Sequence, residues 1–336
     1  MEIIDEHVNE PGNGYTPPAA EATVYPPRYE KEEQPANVLL KSVTSLALYL
    51  FLGYYIFPSY KILLVITAIV LIHEMGHFIA MKAYRYNELG IFFIPLLGAY
   101  VSGSKREVSQ WQSAVILLAG PLPGIILGII GYLVDQQYAD GIWIAGISLT
   151  RISMFFIILN IINLFPVYPL DGGQLLNRVF LDEEGTWSKI FIFLSTGLLA
   201  WLSISLPFYP LLIFPMMMLF RYFSDTKTTH VEKKIEAAGI HTDVDYAELP
   251  AEDYWKMRDI IVPEYPQFRD VPVGPPYEYH PKEEKIMTTL ESFLHRHLLQ
   301  DVSHVGKIMI FLVWVAAFAA PWLLNMDMSF FRQFGI

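Results

Sequence analysis

Cysteine is absent from the 336 residues. Disulfides and thiolate metal sites are therefore excluded, and any bound metal must draw on His, Asp or Glu. Charge is scarce too: 17% of residues are charged and 53% hydrophobic, where an ordinary soluble domain is about a quarter charged. The formal net charge of −11 excludes nucleic acid as a partner, because a phosphate-binding surface needs a basic stripe. No internal repeat is visible. The first residues, "MEIIDEHVNEPGNGYTPPAA", have no apolar h-region of the kind a signal peptide carries. Residues 1–37 are acidic and rich in proline, and are expected to form a disordered cytoplasmic tail that buries too little surface to offset its ordering entropy.

What the chain has is long apolar runs. Spans are expected at Val38–Phe57, Ile62–Ala80, Gln112–Val134, Gly141–Leu164, Trp187–Leu206, Phe208–Arg221 and Lys307–Leu324, since a helix needs about 20 apolar residues to cross the hydrocarbon core. The sixth is short and flanked by prolines, so the expected class is an all-α polytopic membrane protein of six to seven helices. Lys82, Arg85, Lys105 and Arg106 follow span two, Arg178 and Lys189 follow span four, and Arg221, Lys227, Lys233 and Lys234 follow span six. This bias puts those loops, and the N-terminus, on the cytoplasmic side. A prokaryotic plasma membrane fits best. Asn87–Ser104, "NELGIFFIPLLGAYVSGS", has β-branched and aromatic residues between glycines and is expected to be a short hairpin against the membrane. Residues 38–221 form the expected core, and 222–305 a polar cytoplasmic segment of about 80 residues, long enough for a small domain. Residues 306–336 carry the last helix and a short tail.

Inside the second run stand three ionisable residues, in "LLVITAIVLIHEMGHFIAMKAY". Such residues at membrane depth mark a functional site by default. His73, Glu74 and His77 form an H-E-x-x-H motif. On a helix the two imidazoles lie on one face and can bind one Zn²⁺, while Glu74 can take a proton from a metal-activated water. Interhelical hydrogen bonding by two histidines is the bland alternative.

A catalytic zinc needs a third protein ligand and an open position. The best candidate is Asp171 in "ILNIINLFPVYPLDGGQLLNRV". Pro166 and Pro169 stop the helix, and Gly172 and Gly173 allow close backbone approach. By the parity of spans, Asp171 falls on the same side of the membrane as His73 and His77. Asn160 and Asn163, spaced i, i+3, could bind an unwound substrate backbone or an oxyanion, satisfy backbone freed by Pro166, or bond between helices. His295–His297 with His304 is a weaker candidate for a second metal site. Trp111, Trp187, Trp314 and Trp322 read as interfacial anchors or bundle contacts.

These residues resemble the site-2 protease family of intramembrane zinc metalloproteases. The resemblance rests on His73-Glu74-Met75-Gly76-His77 in an apolar span, on the glycine-rich "AGPLPGIILG" of Ala119–Gly128, and on Asn160, Asn163, Pro166 and Pro169 leading into Leu170-Asp171-Gly172-Gly173. It covers about residues 60–180. It implies one zinc per chain held by His73, His77 and Asp171, with Glu74 as general base, and a transmembrane protein or leftover signal peptide as substrate. The family's central motif usually reads Gly-Pro, two variable residues, then Asn; here Gly124 stands where that Asn would be. No stretch resembles the PDZ domain many members insert, and residues 222–336 resemble nothing identifiable.

Other classes predict different features. CAAX-processing zinc enzymes need a downstream Glu-x-x-x-Asp, which does not occur after His77. A transporter would show a duplicated half. A pseudoprotease that only binds membrane peptides would have no need of all four metal and base residues.

Overall fold

The structure, a computed structural model, describes residues 25–30, 37–57, 59–95, 97–105, 108–181, 185–206, 209–294, 298–324 and 326. The remainder of the proline-rich tail and the His295–His297 cluster lie outside the described residues. The chain divides into two compact units, one of residues 32–232 with 294–336, the other of residues 1–31 with 233–293.

Among the described residues, the first unit carries five helices long and apolar enough to cross a membrane: α1 (Val38–Ile56), α2 (Tyr60–Ala83), the pair α3 (Gln110–Ala119) and α4 (Pro121–Asp135), α7 (Thr186–Ser205) and α11 (His304–Leu323). Two shorter apolar segments, α5 (Leu149–Asn163) and Tyr209–Phe220 at the start of α8 (Ile213–Ala237), complete the seven expected runs. Large side chains such as Phe51, Tyr55, Phe193, Trp201, Met216 and Leu323 are exposed on these helices. Apolar surface on that scale is what lipid covers. The chain is built as an integral membrane protein, mostly helical.

Local chemistry explains where the elements stop. Gly120-Pro121 separates α3 from α4, because proline suits the first turn of a helix and not its interior. At the end of α2 the Tyr84 N–H closes on the Ala80 carbonyl and Arg85 turns left-handed at φ 60°. Asn87–Ile94 (β1) and Gly98–Ser104 (β2) form the expected antiparallel hairpin, which packs on α1 and α2. It is tied to α1 by the Phe93 N–H donating to Ser45 Oγ at 3.1 Å.

Two boundaries differ from expectation. The fourth span begins at Leu149, because residues 141–148 form a tight two-stranded turn. That turn is fixed by the Asp135 carboxylate, which accepts from the Ile142 N–H at 2.6 Å and from the Thr150 N–H and hydroxyl. The expected end of the core at Arg221 falls inside α8, which continues to Ala237. Residues 222–237 change polarity but contain no Gly or Pro, so nothing interrupts the helix before Gly239, at φ 71°.

The core beside the site joins α3, α4, α5 and α11 through Ala114, Leu117, Ile125, Ile157, Ile161, Leu164 and Trp314. The second unit contains α9 (Ala251–Glu264) and α10 (Glu283–Glu291), packed through Tyr254, Met257, Ile261, Ile286 and Leu290. Residues 25–30, expected to be unstructured, form neither helix nor strand but are hydrogen-bonded within this unit.

Candidate metal centre

α2 places His73 and His77 one turn apart, with ring centroids 4.8 Å from each other and planes at 79°. Their Nε2 atoms are 3.1 Å apart. Asp171, the first residue of the short α6 (Asp171–Leu175), brings Oδ2 to 3.1 Å from His73 Nε2 and 3.4 Å from His77 Nε2. His73, Glu74 and His77 are all buried.

Three facts bear on what this triangle can hold. First, the opposite ring nitrogens are committed. His77 Nδ1 lies 2.7 Å from the Ile116 carbonyl, and His73 Nδ1 lies 2.8 Å from Asn160 Oδ1. Asn160 Nδ2 donates to the Phe156 carbonyl at 2.7 Å, which sets the amide so that its oxygen faces His73. Both Nδ1 atoms must therefore donate, and in neutral rings both Nε2 atoms present lone pairs. Second, Asp171 Oδ2 is buried and accepts no hydrogen bond. Three electron-rich atoms facing one another out of water repel unless a cation lies between them. Third, ligands about 2.0–2.1 Å from a tetrahedral zinc lie about 3.3–3.4 Å from one another. The observed separations of 3.1–3.4 Å suit such an ion, and the donor set of two imidazoles and a carboxylate suits zinc. The residues fit the metal their motif implies.

Glycines let the helices come this close. A Cβ on Gly76 would sit 1.9 Å from the Ala119 carbonyl oxygen, and one on Gly120 would sit 2.3 Å from His77 Nε2. A Cβ on Gly124 would sit 2.1 Å from Asn160 Nδ2. The departure at Gly124 thus makes room for the Asn160 amide, which occupies the space beside it.

Glu74, the residue after His73 on α2, is buried beside this group. Of the roles the sequence leaves open to Asn160, its amide makes a bond between helices, to His73 of α2, and its nitrogen donates to Phe156, because α5 packs against α2 and α4 at that level. Asn163 is half-buried on the next turn and makes no side-chain hydrogen bond among the described residues. Sequence reading missed the Ile116 carbonyl, a backbone atom without a residue-type signature. Trp314, read as an anchor or bundle contact, is a bundle contact: it is buried, and its indole N–H donates to the Leu164 carbonyl at 2.8 Å, where α5 stops.

Comparison with known proteins agrees with the motifs. The model of peptidase family M50 matches residues 61–141, and the resemblance to the site-2 protease family holds. A zinc metalloprotease of Methanocaldococcus jannaschii is 30% identical over 131 residues, 39% of this chain and 37% of that protein. Stage IV sporulation protein FB of Bacillus subtilis is 26% identical over 123 residues, 37% of this chain and 41% of that protein. The chain thus spans about two fifths of the length of these relatives. Among solved structures, a site-2 protease from Methanocaldococcus jannaschii aligns with a TM-score of 0.39 at 24% identity, covering 55% of this chain and 85% of that one.

Proposed function

We propose that this protein is an intramembrane zinc metalloprotease that hydrolyses peptide bonds within or near transmembrane segments of membrane-anchored proteins. The observation that carries the reading is the convergence of His73 Nε2, His77 Nε2 and Asp171 Oδ2 within 3.4 Å while both Nδ1 atoms are fixed as donors. Zinc at such a site supplies a water with its pKa lowered to about 7 and polarises the scissile carbonyl.

Everything else falls to the chain. His73, His77 and Asp171 hold the ion, and Asn160 and the Ile116 carbonyl keep the two rings in the tautomer that binds it. Glu74 accepts a proton from the attacking water at its carboxylate and returns it to the nitrogen of the leaving amine. A helical substrate hides its peptide bonds, so it must unwind first. Among the described residues β2 has one neighbouring strand, β1. An extended substrate segment can add at its other edge by main-chain pairing. Asn163, with no partner among the described residues, is the remaining candidate to contact substrate. The basic residues after spans two, four and six support a site toward the cytoplasmic side, with the N-terminus cytoplasmic.

Glu74→Gln keeps the shape of the side chain and removes the base. It is expected to abolish cleavage of a model transmembrane substrate in detergent while zinc content stays near one per chain. Normal cutting by that variant would show that the base is another group.

A further inference from the structure

Residues 25–30, Tyr-Pro-Pro-Arg-Tyr-Glu, form neither helix nor strand, yet one consistent chemistry holds them. Consecutive prolines fix φ near −65° and remove two donors, so the segment favours a polyproline-type extended chain whose carbonyls have no internal partner. Aromatic donors of the same unit meet those carbonyls. Trp255 Nε1–H donates to the Pro26 carbonyl at 2.8 Å, and the Tyr279 hydroxyl donates to that of Pro27 at 2.8 Å. The Tyr246 hydroxyl donates to the carbonyl of Tyr29. Side chains are engaged as well. Tyr25 stacks on Tyr277 at 5.3 Å, Tyr29 meets Tyr279 edge-on at 5.7 Å, and the Arg28 guanidinium lies 6.0 Å from the centre of the Tyr246 ring.

The receiving surface is braced from behind. The Trp255 ring packs against Tyr277 at 4.9 Å and Tyr279 at 5.9 Å, and the Arg258 guanidinium lies 4.9 Å from its centre. Arg258 is itself locked by two bonds to the buried Glu283 carboxylate, at 2.8 and 3.2 Å. Burial raises the Tyr246 and Tyr279 hydroxyls above their ordinary pKa, so both remain donors at neutral pH. Strand pairing cannot explain the contact, because the two prolines have no N–H to offer. Aromatic side chains that line a groove and donate to the carbonyls of an extended proline segment are instead how proline-rich ligands are recognised.

We propose that residues 233–293 form a recognition module for proline-rich extended segments flanked by aromatic residues, and that residues 25–30 occupy its groove in cis. The same groove takes such a segment of another protein once this strap leaves. A strap that is part of the same chain binds intramolecularly, at an effective concentration that reaches the millimolar range, so it holds the groove against free ligand at micromolar levels.

A protease site introduced at residues 32–35 of the full chain, cut after folding and followed by washing, frees the groove without asking a truncated protein to fold. The probe is a fluorescent peptide of residues 22–31, followed by anisotropy. The uncut chain is expected to show no saturable binding at micromolar probe, and the cut chain to bind it saturably. Tyr279→Phe removes one hydroxyl from a ring that is 49% exposed, so the fold is kept. It is expected to weaken probe binding roughly three- to tenfold, the loss of one hydrogen bond. The probe carrying Pro26→Gly and Pro27→Gly is expected to bind at least tenfold more weakly. Equal affinity of cut and uncut chains, of the proline and glycine peptides, or of the Tyr279→Phe chain and its parent would overturn the proposal.

Discussion

Asn160 shows how much at this site turns on one amide. Its oxygen holds His73 Nδ1 at 2.8 Å and its nitrogen is spent on Phe156, so the amide cannot flip without breaking both contacts. Outer partners of metal-binding histidines are worth about 10–100-fold in affinity. Asn160→Ala is therefore expected to weaken zinc by that factor in a chelator competition, and Asn163→Ala to leave it within about twofold. Gly124→Ala should reproduce the Asn160 defect, because the added carbon would lie 2.1 Å from Asn160 Nδ2. Unchanged zinc affinity in both Asn160→Ala and Gly124→Ala would remove Asn160 from the positioning role. The histidines and Glu74 were legible in the sequence because their spacing is set within one helix. The partners of the histidines were not, since they depend on the register of α2 against α3 and α5, which no local pattern encodes.

At the scale of elements, the break after α5 governs the site. α5 has 15 residues, about 22 Å at 1.5 Å each, short of the roughly 30 Å of a hydrocarbon core. Residues 164–170 follow it as irregular backbone, a form tolerated at membrane depth only where protein surrounds it. Trp314 provides part of that enclosure through the Leu164 carbonyl. Trp314→Phe is expected to cost about 1–3 kcal/mol by leaving a buried carbonyl unpaired, read as lowered thermal stability in detergent. An unchanged melting temperature would mean water or another donor takes over. The prolines and paired glycines made this break readable in advance. The late start of α5 was not readable, because it depends on Asp135 reaching across to Thr150. The continuation of α8 past Arg221 was missed for the opposite reason: hydropathy marks where an apolar face ends, and a helix can outlast it.

The molecule as a whole combines two chemistries. One unit groups the buried His73, Glu74, His77 and Asn160 at a candidate metal site. The other buries an ion pair, Arg258 with Glu283, each 1% exposed, with Tyr254 also donating to that carboxylate at 2.6 Å. Removing one partner of such a pair costs about 3–5 kcal/mol. Arg258→Met is thus expected to expose residues 233–293 to limited proteolysis while zinc content of the protein persists; resistance equal to the parent chain would contradict that account of the unit's stability. Little of this unit was legible, since its order comes from aromatic rings and prolines that read as tail and linker when taken one segment at a time. The central claim concerns the metal, and X-ray absorption at the zinc edge tests it most directly. The account predicts one zinc per chain with two imidazole nitrogens and carboxylate and water oxygens at about 2.0–2.1 Å, a spectrum that changes in Asp171→Ala. An all-oxygen shell, or an imidazole signal that persists unchanged in the chain carrying both His73→Ala and His77→Ala, would contradict it.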